Sequence, residues 1–438
     1  MRKNWQQIRR KIFSKFDLLR LLGLLAIFQL TLTLTLHFNT PKVLTVLVPE
    51  DVYNAWIDSK THPSLLKKFE DRNPGIRINL VKGPNITDGL EAAYLATFAS
   101  KIPYDLVYMD IIWVQNFANQ GWLLDLADRI SDKEVKQFLP NDIESGRFRD
   151  GLYRIPFTAD VGVLYYRKDI LKENGMAPPA TFDEFDQVFK KLNASYAPQK
   201  YFYLWQGKQD EGLVANFIEV LSGHGGFWFN PQTLEVGLGS DAAKEAVNFM
   251  HRTIADGVSP GVTTYDEQAS IDQFKQDKHV VFLRDWSNNW KKVTENLENK
   301  VGILPVLHET RHISRSCRGG WGFGIAKDSA YPDEAWKVIQ FFTSSDVQRQ
   351  FVLDTGYLPS RRALFTDPAV VSKYNHFPQM LEMLNQSVSR PLTPKYDSVS
   401  RILQQGLSEA LAGQSTKDPM KEVAKKTIGC LKDGEKCY

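Results

Sequence analysis

From residue 43 to residue 343 short apolar β-rich runs alternate with stretches of helical spacing, and that alternation narrows the fold more than any other property of the sequence. VLTVLVPED (43–51) is a β-rich run ending in two acids. In LLKKFEDRNPGIRINLV (65–81), Leu65, Leu66 and Phe69 have helical spacing, Asn73-Pro74-Gly75 stops the helix, and Ile76, Ile78 and Leu80 alternate as a strand, giving a β-α-β unit. The pattern recurs as a helix over 89–100, a strand over 104–109 that ends at Asp110, and a helix over 111–120. Further on, Thr181 and Glu184 stand in capping-box spacing at the head of a helix over 181–192, an aromatic strand covers 201–205, and helices cover 214–221 and 240–256. Strands at 280–283 and 301–306, a glycine-rich strand at 319–325, and helices at 332–342 and 399–411 complete the reading. Such alternation implies an α/β chain with a mostly parallel sheet covered on both faces, whose ligands bind beyond the carboxyl ends of the strands. No internal repeat or low-complexity linker interrupts the 438 residues, which favours two interwoven lobes over separate beads.

The stretch GLYRIPFTADVGVLYYRK (151–168) departs from the pattern, because it sets one acid, Asp160, in the middle of an apolar strand. A carboxylate is expensive to bury there, so it requires either a fixed partner or a cleft where a ligand satisfies it. Glu50, Asp51 and Asp110 also fall at strand ends, where ligands of open α/β sheets collect. Asp51 has a competing role as a helix cap. Trp286 directly follows a strand and Trp321 stands among glycines; an aromatic ring beside carboxylates suits a polyhydroxylated ligand, the ring stacking on C–H faces while the acids accept from hydroxyls.

The first forty residues are of another kind. Seven basic residues precede or enter an uncharged apolar run over 21–36, the pattern of an export signal that is either cleaved or kept as an N-terminal anchor. They hold seven of the 54 Lys and Arg and one of the 51 Asp and Glu, so the rest of the chain stands at −3 and carries no basic stripe. Nucleic-acid binding is therefore not expected. The first cysteine is Cys317, which excludes a lipid-modified cysteine at a cleavage point. Cys430 and Cys437 bracket LKDGEK and are either a small terminal disulfide or two free thiols; the spacing leaves both open. There is no Walker A, GxSxG or HExxH motif and no Cys/His cluster with metal spacing, so neither a catalytic residue nor a metal or other cofactor is expected.

Several segments, in order over nearly all of residues 43–415, resemble the extracytoplasmic solute-binding proteins of sugar-importing ABC transporters, in the branch that binds maltose and trehalose. They are FEDRNPGIRINLV, YDLVYMDIIWVQNFANQGWLLDL, GLYRIPFTADVGVLYYRKDIL with PPATFDEF, WQGKQDEGLV, GGWGFGIAKDSAYPDEAWKVIQFFTSSDVQRQF, TGYLPSRRALFTDP and RPLTPKYDSVSRILQQGLSEAL. The resemblance implies a two-lobed periplasmic-binding-protein fold of class II with crossover strands between the lobes. It places residues 41–157 and 301–343 in the first lobe and 158–300 and 344–438 in the second, after a leader at 1–40. It also implies that Glu50, Asp110 and Asp160 bind ligand hydroxyls, that Trp286 and Trp321 stack on the sugar, and that Gly320 offers a backbone contact. Arg361 matches the family's arginine, and Asn85, in GPNITDGL, falls in the region of another polar contact although that segment departs from the family pattern. The expected ligand is a small sugar or glycosidic compatible solute such as glucosylglycerol, sucrose, trehalose or maltose. The expected partners are the membrane permease subunits of the importer, with the protein working as a monomer in the periplasm or on the outer face of the cytoplasmic membrane. The competing reading is a glycoside hydrolase, which needs two carboxylates at a defined separation and one raised pKa; no local motif pairs the acids in that way.

Overall fold

A computed structural model describes residues 41–57, 63–195, 202–297, 299–413, 418–433 and 437, so the leader expected at 1–40 lies outside the described residues. The first half contains β1 (Lys42–Pro49), α1 (Glu50–Ile57), α2 (Leu65–Arg72), β2 (Ile76–Gly83), α3 (Thr87–Ala99), β3 (Leu106–Asp110) and the long strand β4 (Ile155–Arg167). Then come α4 (Phe182–Ser195), β5 (Phe202–Leu204), α5 (Glu211–Gly223), α6 (Asp241–Ala255), α7 (Glu267–Gln276) and β6 (Val280–Trp286). The chain continues through β7 (Val301–Leu304), β8 (Arg318–Ile325), α8 (Pro332–Phe342), α9 (Ser345–Thr355), β9 (Leu358–Pro359), α10 (Tyr396–Leu411) and α11 (Pro419–Asp433). At the head of α4 the capping box forms: Thr181 Oγ1 accepts from the Glu184 N–H at 3.2 Å, and Glu184 Oε2 accepts from the Ala180 and Thr181 N–H groups.

The strands join in the order β2-β1-β3-β8-β4-β6-β5, with β7 and β9 also pairing β4. The sheet is mixed rather than mostly parallel. β1 runs parallel to β2 and β3, but β8 is antiparallel to both β3 and β4, and β4 is antiparallel to β6 and β7. The cause is β4 itself, which changes partners midway. Residues from Ile155 to Val161 pair with β8, whereas those from Gly162 to Arg167 pair with β6 and β7. One strand thus belongs to two half-sheets, and Asp160 sits where it passes from one to the other.

Burial on both sheet faces follows from the strand composition. In the first lobe Leu44, Val46 and Val48 alternate into a core with Trp56, Phe157, Phe323 and Phe342, where Trp56 and Phe342 stack at 3.8 Å. Leu47 and Met109 face the other way, into a larger cluster that continues into the second lobe through Phe185, Phe217 and Phe282.

Two segments change lobes relative to expectation. β7, expected in the first lobe, pairs with the second-lobe half of β4 from Leu164↔Leu304 to Arg167↔Val301. α9, expected in the second, places Val347 and Phe351 in the first-lobe core, with the Phe351 ring 4.7 Å from that of Phe157. At the C-terminus Cys430 and Cys437 are disulfide-bonded, while Cys317 is free and buried. No helix among the described residues is long and apolar enough to cross a membrane.

Candidate functional site

The crossing leaves a cavity of about 170 Å³ at the carboxyl ends of β1, β3 and the first half of β4. Its walls come from both lobes. Of the residues expected there, Asn85, Asp110, Asp160, Trp286, Gly320 and Trp321 line it.

Asp160 is only 4% exposed. Its Oδ1 accepts from the Val161 N–H at 2.9 Å, the Ser287 hydroxyl at 2.6 Å and the Asn288 N–H at 3.2 Å, so the second lobe clamps an acid carried on the crossing strand. Burial pushes the carboxyl up to about 7, against those hydrogen bonds and the charge of Arg284, which hold it down. The cost of placing an acid in this strand is met by fixed donors on one oxygen.

Asp110 ends β3 and pairs in register with Trp321. Its Oδ1 accepts from Arg390 Nη2 at 3.2 Å, while Arg390 Nη1 donates to Glu211 Oε1 at 2.9 Å. Glu211, the first residue of α5, also accepts from Ser400 Oγ at 2.7 Å and from the Tyr396 hydroxyl. Arg390 therefore ties a first-lobe strand end to a second-lobe helix, burying one cation between two acids.

The rings are held from behind. Trp321 stacks on Tyr108 at 5.2 Å and 7° and meets Trp113 edge-on at 5.2 Å. Trp286 has the Arg284 guanidinium 4.6 Å from its centroid and that of Arg390 at 5.9 Å. Gly320 adopts φ +148°, and a Cβ there would come within 2.9 Å of the Thr158 carbonyl, so only glycine lets β8 approach β4 this closely.

Two expected residues lie elsewhere. Glu50 opens α1 and turns outward to pair with Lys82 on β2 at 3.0 Å, whereas the next residue, Asp51, lines the cavity. One residue of helical rotation, about 100°, separates the two directions. Arg361 is buried in the protein away from the cavity: its Nε donates to the Thr343 carbonyl, its Nη2 pairs with Glu134, and its guanidinium lies 4.7 Å from the Phe138 ring.

The cavity also takes Asp88, Asp210, Glu211, Glu267, Lys292, Tyr357 and Arg390, none of which was singled out. Asp210 caps α5 through its bond to the Gly212 N–H, and the QDEG spacing carries that signal. Among the described residues no group of His, Cys, Asp and Glu could hold a metal ion. The arrangement offers hydrogen-bond acceptors and ring faces on opposite sides of a gap between lobes, which is the equipment for holding a polar solute.

Fold and cavity together define a cleft-type solute-binding protein, two α/β lobes sharing crossing strands around one polar pocket. The chain belongs to the bacterial extracellular solute-binding protein family, whose model matches residues 56–349. It is accordingly a binding protein and not an enzyme, and the hydrolase reading is not favoured. Its relatives include a probable ABC transporter-binding protein of Deinococcus radiodurans, 26% identical over 359 residues that cover 80% of this chain and 85% of that one. The maltotriose-binding protein of Pyrococcus abyssi is 26% identical over 313 residues, covering 70% of this chain and 65% of that one. Among solved structures, maltose-bound MalE3 of T. maritima superposes with a TM-score of 0.80 at 29% identity, covering 88% of this chain and 98% of that chain.

Proposed function

We propose that the chain is the substrate-binding component of an ABC importer that takes up a small sugar or glycosidic compatible solute such as glucosylglycerol, sucrose, trehalose or maltose. One observation carries the reading: acids and rings from both lobes converge on a single compact cavity, with Asp110 beside Trp321 and Asp160 beside Trp286 and Gly319-Gly320. The D. radiodurans relative is described as an ABC transporter-binding protein, and the T. maritima neighbour holds maltose, which supports the transport role and the ligand class.

In this account ligand hydroxyls donate to Asp110 and to the Asp160 oxygen that the protein leaves free, the sugar faces lie on Trp286 and Trp321, and Asn85 meets the solute at the mouth. A solute touching both lobes binds the closed form better than the open one, and only that difference drives closure. The closed monomer then presents both lobes to the permease, outside the cytoplasmic membrane. The small volume favours one or two sugar units over a long oligosaccharide.

A thermal-shift panel of sugars and compatible solutes tests this. A cognate solute at a hundred times its Kd adds about 2.7 kcal/mol of apparent stability, so a saturable rise in Tm is expected for at least one small glycoside. No shift with any sugar or polyol overturns the proposal.

A further inference from the structure

The acids of the cavity are not all accounted for by cations of the protein. Of the bases beside it, Arg390 is engaged by Asp110 and Glu211, Lys292 by Asp51, and Lys208 by Asp266. Among the described residues four lining carboxylates remain without an ion pair: Asp160, which Ser287 and two N–H groups already hold, Asp88 on α3 of the first lobe, and Asp210 and Glu267 at the starts of α5 and α7 in the second.

Asp210 and Glu267 are close together. A Cβ placed on Gly212 would lie 3.0 Å from Asp210 Oδ1 and 3.2 Å from Glu267 Oε1, so the two carboxyl groups flank one point. Asp210 is 7% exposed, and although its Oδ1 accepts the Gly212 N–H at 2.9 Å, its Oδ2 is buried without any hydrogen-bond partner. Such an oxygen costs free energy for as long as no donor reaches it. Burial and the neighbouring charges of Glu267 and Asp88 push Asp210 up to about 7. Asp88 is raised too, by burial and Glu267, with Arg401 and Arg390 opposing.

Hydroxyl groups can fill the lone pairs of these carboxylates but leave their mutual repulsion in place. A cation does both, because a protonated amine donates up to three hydrogen bonds and cancels one charge. We propose that Asp88, Asp210 and Glu267 form a subsite for a protonated amine on the solute, so that the preferred ligand is an amino-bearing sugar, polyol or cyclitol glycoside rather than a neutral one. This rests on the solute-binding reading above and narrows its ligand class.

Matched pairs that differ only in a hydroxyl replaced by an amine test it: trehalose and 2-amino-2-deoxytrehalose, D-glucose and D-glucosamine, D-glucitol and 1-amino-1-deoxy-D-glucitol. Titration calorimetry of the purified protein at neutral pH reads each affinity. In at least one pair the amine should bind about tenfold more tightly, the size expected for a charge-assisted hydrogen bond. Glu267→Gln should remove most of that ratio, as should Asp88→Asn, which keeps the size of a cavity-lining side chain and removes its charge. Neutral members binding as well as or better than their amines in every pair overturns the subsite while leaving the sugar reading intact. An amine preference that survives both substitutions also overturns it. Failure of all three amines to bind overturns the subsite, whereas the sugar reading is decided by the thermal-shift panel.

Discussion

Lys292, on the single-turn helix Trp290–Thr294 of the second lobe, donates to Asp51 in the first turn of α1 on the first lobe. Both residues line the cavity, so one ion pair joins its two walls. The pair is partly solvated, with side chains 34% and 30% exposed, and a pair of that kind contributes about 0.2–1 kcal/mol. Lys292→Ala should weaken solute binding by about twofold to fivefold, mainly through faster release, and the loss should shrink at high salt. Stopped-flow dissociation measured at two ionic strengths checks this; an unchanged release rate means that the pair does not latch the lobes.

The buried acids predict a pH dependence of the unliganded protein. Asp160, Asp210 and Asp285 are each pushed up to about 7, burial being the largest cause in every case. The folded state holds these protons more tightly than the unfolded chain, whose aspartates titrate near ~4. Their stabilising contribution is thus complete below about pH 4 and is lost as the pH rises through about 7. Buried His376, held down to about 4, and His224, also lowered by burial, act in the opposite sense over part of that window. Asp285→Asn should flatten the decline of Tm between about pH 5 and 7 in calorimetric scans. A wild-type slope in the variant contradicts the assignment.

The strand crossing rests on a buried ion pair. Arg284 Nε and Nη2 reach the two oxygens of Glu219 at 2.6 and 2.7 Å, and a Cβ on Gly162 of β4 would sit 1.7 Å from Glu219 Oε1. Arg284→Met leaves Glu219 buried without its cation and should cost about 3–5 kcal/mol in denaturant unfolding. A cost below about 1 kcal/mol, typical of a surface change, shows that Glu219 finds another partner.

Much of the cavity was legible from strand ends. Asp110 and Asp160 stand out because an acid closing or interrupting an apolar strand needs a reason, and Trp321 because the glycines around it leave its ring little to pack against locally. Glu50 and Asp51 exchanged roles because the chain turns helical immediately after Pro49, so one position decides between Lys82 and the cavity. Asp210 and Glu267 were hidden by their position, since acids at helix starts read as ordinary caps. α7 itself buries only Ser270, Ile271 and Phe274, too sparse a pattern to announce a helix. The lobe membership of β7 and α9 is set by pairing with β4 and packing on Phe157, which no local spacing encodes.

Asp160 is the acid at the point where β4 passes between the lobes. Its Oδ1 is fixed by Ser287 and Asn288, and the proposed role of the carboxylate is to accept from the solute. Calorimetric titration of Asp160→Ala with the solute that raises the wild-type Tm is the direct measurement, made on protein shown by circular dichroism to be folded. Loss of a buried hydrogen-bond acceptor, which leaves its donors and the solute hydroxyl unpaired, should weaken binding about a hundredfold, near the upper end for one such group. Affinity equal to that of the wild type would contradict the placement of the solute between the lobes.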